Sequence, residues 1–245
     1  MKKYLALLLF ACLMLLSLAA CGGGSSSADA SSSSESTSES DSQETAPEEN
    51  IKEEPVSFEI SEYGYGIEDG YLFISAVLHN PSDKVIELPG FRVTAKDSSG
   101  SILGTGDQIC NILYPGQSYC YSGQMFDVGE NPSEVSVEPI PPQDYNIRDI
   151  SQVDNPNFTD FEVSNVSVKQ DSFSSKITGE VTNPNEFDYD MICVSVAFRN
   201  ANGELTGGTC GFVNSVPAKS TVPFEISLYM PSLVTDTYEV CAFPW

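Results

Sequence analysis

One histidine, one tryptophan and eleven basic residues are all that 245 positions offer, and each scarcity closes off a class of function. A zinc centre of the usual kind needs several imidazoles or a Cys-x-x-Cys pair, and the chain has neither. No Gly-x-Ser-x-Gly marks a nucleophile elbow. The lone imidazole after the leader, His79, would need a serine or cysteine and an orienting acid beside it to act in a triad. It reads as a surface histidine at a strand end, so no catalytic residue and no metal ligand is assigned. Against 35 acids the eleven bases leave a net charge of −24, which repels phosphate backbones and excludes nucleic acid as a partner. Beyond residue 21 no apolar run approaches the roughly 20 residues that a spanning helix requires, and no stretch there keeps a helical period.

The segment before that point is of another kind. Lys2 and Lys3 form a basic start, Leu5 to Leu18 an apolar run broken only by Ser17, and Ala19-Ala20 a small-residue cleavage site. This is a signal peptide over residues 1–20. The run Leu18-Ala19-Ala20-Cys21 resembles the lipobox of bacterial lipoproteins. The resemblance implies that the Cys21 thiol takes a diacylglycerol and becomes the mature N-terminus, the only covalent group expected; no cofactor is. Two acyl chains anchor a protein stably, at about 0.8 kcal/mol per buried methylene. Loss of Lys2 and Lys3 carries the formal charge from −24 to −26.

Residues 21–55 hold the lipidated cysteine and a linker of Gly, Ser, Thr, Ala, Asp and Glu, in which nine acids face the single base Lys52. Such a composition buries too little apolar surface to offset its ordering entropy, so a disordered stalk of roughly 30 Å is expected. The stalk resembles those of single-membrane bacteria, which implies display on the outer face of the cytoplasmic membrane.

The remaining chain repeats itself. Phe58-Glu59-Ile60-Ser61 returns 103 positions later as Phe161-Glu162-Val163-Ser164, and Asn80-Pro81 returns as Asn183-Pro184. In the same register Ile74 meets Ile177, Val93 meets Val196, Gly100 meets Gly203, Gly104 meets Gly207, Asn111 meets Asn214 and Val137 meets Val240. Within each copy apolar and polar residues alternate, as in Val194, Val196 and Phe198 against Ser195, Ala197 and Arg199, the mark of half-buried strands. Turn signals such as Ser98-Ser99-Gly100 and Pro115-Gly116 punctuate them. The expected fold is all-β: two tandem Ig-like antiparallel β-sandwiches of about seven strands, over residues 56–139 and 158–245, joined by a Pro-rich linker over 140–157.

A strand ending in Asn-Pro, an alternating strand, a Gly hairpin and a Pro-Gly or Pro-Ala turn before an aromatic strand resemble the FxLYD-type Ig-like domains of bacterial lipoproteins. The telokin-like extracellular sandwich shares this architecture. Phe91-Arg92-Val93-Thr94 and Val196-Ala197-Phe198-Arg199 depart from the literal FxLYD signature. Neither family implies a catalytic activity.

Five cysteines follow the lipobox in a disulfide-permissive setting. Cys193 and Cys210 lie symmetrically about the Asn200–Gly203 turn and Cys110 and Cys120 flank Pro115-Gly116, so each pair is either a cross-hairpin bridge or two reduced hydrophobes; Cys241 is left over. The two copies also differ on the outward face of the strand ending at Asn80. There Tyr71, Phe73, Val77 and His79 stand where the second copy has Ser174, Lys176, Glu180 and Thr182. An apolar stripe on one copy marks either a partner surface or the contact with the neighbouring copy. The favoured function is a lipid-anchored, non-catalytic interaction protein of the envelope, with an envelope protein or glycan as partner. The alternative is a solute- or glycan-binding lipoprotein that uses exposed tyrosines, and an exported enzyme is a distant third.

Overall fold

The computed structural model describes residues 55–245 apart from 130, 172, 230 and 236. The signal peptide, Cys21 and the stalk up to residue 54 lie outside the described residues. The fold is all-β. In the first repeat β1 (Glu59–Glu68), β2 (Tyr71–His79), β3 (Val85–Glu87), β4 (Gly90–Lys96), β5 (Ile102–Ile109), β6 (Ile112–Leu113), β7 (Ser118–Asp127) and β8 (Glu134–Ile140) follow in order. A two-residue strand, β9 (Ile147–Arg148), lies between two 3₁₀ turns. The second repeat contributes β10 (Glu162–Gln170), β11 (Ser175–Thr182), β12 (Tyr189–Arg199), β13 (Leu205–Val216), β14 (Thr221–Leu228) and β15 (Thr237–Pro244).

Each repeat folds as a pair of three-stranded antiparallel sheets. Sheet β1-β2-β7 faces sheet β5-β4-β8, and sheet β10-β11-β14 faces sheet β13-β12-β15. Shifting the first set by 103 residues lays it on the second strand for strand. The principal strands number six per repeat rather than seven. The small sheet β6-β3-β9 arises because the first copy breaks where the second runs on. Ile86 pairs with Leu113 as Tyr189 pairs with Val216. Between β3 and β4, however, Leu88 takes φ +51° and Pro89 has no N–H, so the strand kinks, although the Leu88 N–H still donates to Asn111 and the Pro89 carbonyl still accepts from Cys110. The second copy carries Met191 and Ile192 there and stays in one strand. The inter-repeat segment is also more than a linker: β9 pairs with β3, and Lys84–Asp149 (2.7 Å) and Arg148–Glu87 (3.2 Å) pin it to the first repeat.

The Asn-Pro that recurs in the sequence closes the same turn twice. Asn80 and Asn183 are fully buried. The Asn80 amide donates to the carbonyls of Lys84 (2.8 Å), Leu113 (3.1 Å) and Tyr114 (3.1 Å). The Asn183 amide donates to those of Phe187 (2.9 Å), Val216 (3.3 Å) and Pro217 (3.1 Å), each 103 residues on. Both side-chain oxygens accept a backbone N–H two residues ahead, from Ser82 and Asn185. Three carbonyls from two further chain segments are thereby bonded by one side chain.

The repeats do not hang separately on a flexible joint; they belong to one compact unit. The outer face of β1-β2-β7 lies on the outer face of β13-β12-β15, giving four stacked sheets. Phe73, directed outward from its own sandwich, is only 4% exposed because it enters the core of the second repeat. Burying one such side chain contributes roughly 1.5–3 kcal/mol. Val77 and Cys120 meet Ala197, Leu205 and Cys241 alongside it. The sheets approach closely because Gly64, Gly66, Gly207 and Gly208 line the contact; a Cβ on Gly64 would stand 1.9 Å from the Leu205 carbonyl oxygen.

At one margin of the contact Arg199 donates to Glu62 of the first repeat through two nitrogens, at 2.7 and 2.9 Å, and its Nε to Glu239 at 2.7 Å. The Arg199 hydrogen bonds hold the Glu62 carboxyl below the usual carboxylate range. A depressed carboxyl contributes stability that is fully present above its unfolded pKa and lost as pH falls through its folded one. Glu62→Gln should therefore cost about 1 kcal/mol at neutral pH, discounted for partial exposure, and nothing once the wild-type carboxyl is protonated. Urea unfolding of both proteins from pH 7 down to pH 3 checks this; a difference that grows on acidification would refute it.

Candidate functional site

Stacking the repeats leaves a cleft of about 450 Å³ along their seam, within the size range of small-ligand sites. From the first repeat, β2 brings Phe73, β5 brings Gln108, and β7 brings Tyr121 and Gln124. The second repeat brings Thr209, Cys210 and Phe212 on β13, Ser227 and Leu228 on β14, then Tyr229 and Trp245. Alternation puts Cys210 and Phe212 on the face turned away from Val194 and Val196, whereas Thr209, opposite Val196, is on the other face and buried. The Trp245 ring lies 5.1 Å from Phe212 and 6.4 Å from Tyr121, centroid to centroid. Its backbone N–H donates to the Met191 carbonyl at 3.2 Å, which fixes the ring's approach. Tyr121 Oη donates to Gln108 Oε1 at 2.8 Å, and the Gln108 amide donates in turn to the Ile109 carbonyl at 2.8 Å.

The cleft is therefore a wall of aromatic rings with uncharged polar groups at its rim. Among the described residues no Asp, Glu, Lys, Arg or His side chain lines it. Phe212 is 49% and Tyr229 74% exposed, large apolar surfaces that folding leaves to water. Among the described residues the exposed side chains of Gln124 and Ser227 have no hydrogen-bond partner in the protein.

No protein-family model matches this chain, and no curated protein does. Among solved structures it is similar to the crystal structure of red sea bream transglutaminase at 8% identity, over 77% of this chain and 30% of that one, with a TM-score of 0.21. The chain thus spans less than a third of that protein's length, and a likeness so slight bears on neither fold nor activity.

The five described cysteines are free thiols. A bulge between Ala197 and Arg199 shifts the β12–β13 register, so Cys193 stands opposite Phe212 and Cys210 opposite Ser195. The two thiols are diagonal neighbours rather than a facing pair. Cys110 and Cys120 are parted by the alternation of β7, which turns Tyr119 and Tyr121 toward the first repeat's core, where Cys110 lies, and sends Cys120 to the inter-repeat contact. Cys241 donates to the Cys120 carbonyl at 3.1 Å.

Burial pushes the Cys110 and Cys241 thiols up to about 12 and raises Cys120 further. Cys193 is raised too, first through its hydrogen bond with Cys210 and then by burial. Cys210 alone is lowered, because Cys193 donates to it and Tyr121 supports it. It is also the thiol that lines the cleft. Among the five, iodoacetamide at pH 7.5 should therefore modify Cys210 first, since the thiolate is the nucleophile. Peptide mapping after timed quenching reads this, and earlier labelling of Cys110, Cys120 or Cys241 would refute it.

The residues of the outward stripe divide between inside and outside. Phe73 is buried in the second repeat and Val77 packs in the contact between repeats, while Tyr71, opposite Asp127, stays 36% exposed. His79 Nδ1 lies 2.8 Å from Ser118 Oγ across β2 and β7. Thr182 and Thr221, the residues 103 positions on, make the same cross-strand bond at 2.8 Å. A pairing that both repeats make with different residues is a clasp between strands, and nothing orients the imidazole for proton transfer. Cys21 lies outside the described residues.

The cleft itself escaped sequence reading. Phe212 and Trp245 carried a faint signal, one an aromatic at an outward position of an alternating strand, the other the chain's single tryptophan. Nothing local announced that Tyr121 and Gln108, about a hundred residues earlier, would complete the same wall.

Proposed function

We propose that this chain is a lipid-anchored, non-catalytic binding protein of the bacterial envelope whose ligand site is the aromatic seam cleft. The lipobox at Cys21 supports the anchor and the outer face of the cytoplasmic membrane as its place. The single observation that carries the binding reading is an open cleft walled by Phe212, Tyr121 and Trp245 and rimmed by unpartnered neutral polar groups. Its chemistry favours a solute or glycan over an envelope protein. The apolar stripe that suggested a protein partner is largely used up between the repeats, through Phe73 and Val77. The His79–Ser118 clasp supports a non-catalytic role.

Two measurements test this. Cys21→Ala should move the protein from the membrane fraction to the soluble exported one; retention on the membrane would remove the anchor. Soluble envelope extract should raise the Tm of the acyl-free chain by mass action and leave Phe212→Ala unmoved. Equal shifts in both proteins would take the site away from the cleft.

A further inference from the structure

We infer that the seam cleft takes a neutral saccharide, a short stretch of pyranose rings whose C–H faces lie on Phe212, Trp245 and Tyr229. This rests on the binding role proposed above and names the ligand class for it. Three features of the cleft converge on that chemistry.

The first is charge. The chain carries 35 acids against 11 bases, yet among the described residues no charged side chain lines the cleft. An anion would enter against the field of the whole molecule, and a cation would find no carboxylate to replace its hydration. A neutral ligand meets neither penalty.

The second is the kind of polar group present. Gln124 offers a carbonyl and an amide, and Ser227 a hydroxyl that both donates and accepts; both are exposed. Neither is engaged within the protein among the described residues. A purely apolar ligand would strip water from them and return nothing, at about 1–3 kcal/mol for each group left unpaired. Sugar hydroxyls, which also donate and accept, replace that water.

The third is the exposed ring surface. Phe212 and Tyr229 are 49% and 74% exposed, so the cleft offers open aromatic surface to an incoming molecule. A pyranose has one apolar face of axial C–H groups and a rim of hydroxyls, which matches an aromatic wall with polar groups around it. The cleft volume accommodates one or two such rings.

The chain supplies its own reporter, because Trp245 is its single tryptophan and it lines the cleft. The acyl-free chain is titrated with cellohexaose and, separately, with chitohexaose, following Trp245 emission. Saturable quenching or a blue shift by at least one of them is expected, weakened about tenfold or more in Phe212→Ala and in Gln124→Ala. Both replaced side chains are exposed, so the fold should survive, and circular dichroism verifies that. The same saccharide should slow iodoacetamide labelling of Cys210, which shares the cleft.

Emission unmoved by either sugar overturns the saccharide assignment. If envelope extract still raises Tm through Phe212 in that case, the cleft binds another class of ligand and the broader binding role stands. Should the extract fail as well, both fall. Quenching that persists unchanged in Phe212→Ala and Gln124→Ala would equally overturn the proposal, since the sugar would then sit elsewhere.

Discussion

Replacing Asn80 or Asn183 by alanine should lower stability by about 3–5 kcal/mol, the larger of the two strongest single-residue effects expected here. Each amide satisfies three buried carbonyls, and each side-chain oxygen accepts a backbone N–H two residues on. Alanine removes these bonds from a buried region, although the Lys84 and Tyr114 carbonyls each keep one, from Ser82 Oγ and the Gln117 N–H, and the Pro217 carbonyl keeps one from Ser220 Oγ. The loss exceeds that of an ordinary side-chain hydrogen bond because both asparagines are fully buried and each ties several groups at once. Aspartate should do no better, since it keeps the acceptor but removes the donor and sets a carboxylate among carbonyl oxygens. Because the repeats are packed into one unit, either alanine variant should lower a single cooperative transition, by roughly 10 °C. Scanning calorimetry of the two variants reads this. A loss below 1 kcal/mol in both would show that the asparagines are not what closes these turns.

The second large effect belongs to the contact between repeats. Gly64→Val should cost at least about 3 kcal/mol and split unfolding into two steps. Its Cβ would meet the Leu205 carbonyl oxygen at 1.9 Å and the Leu205 side chain at 2.6 Å. Backbone lies on both sides of the clash, so no rotamer change relieves it and the two sheets must part. Parting them withdraws Phe73 from the second repeat's core, at the cost of a large buried side chain. Gly100→Ala is the matched control: open space surrounds that position, and only its φ of +85° opposes a side chain. There the penalty should stay near 1 kcal/mol. Chemical denaturation followed by Trp245 emission, with small-angle scattering for size, separates the two variants. A compact, singly cooperative Gly64→Val protein would mean that the repeats do not rely on this close approach. Loss of the contact would also open the seam cleft, so the variant should lose whatever ligand the wild type binds.

Much of the fold could be read residue by residue. The constant offset of 103 positions placed the strands of one repeat on those of the other, and the inward set of Val194, Val196 and Phe198 is buried as alternation requires. Asn-Pro was legible as a turn, though not as the buried three-carbonyl bracket it proves to be. Strand number was less legible, because the break at Leu88-Pro89 divides one ladder of the first copy into β3 and β4. The thiol pairs were not legible as such: the β12–β13 register sets Cys193 opposite Phe212 with Cys210 diagonal to it on the same face, and the alternation of β7 parts Cys120 from Cys110.

What the chain shows by itself is local: a basic and apolar start ahead of a run that resembles a lipobox, an alternation of period two, and a duplicated pattern of turns. Each depends on residues a few positions apart, or on identity at a fixed offset, and both are visible in one dimension. The pairing of outer faces was decided only in three dimensions. It rests on glycines that let two sheets approach and on Phe73 finding space in a core built from residues more than a hundred positions away. The cleft is a product of that packing, formed where two curved surfaces stop touching, and no stretch of either strand encodes it alone.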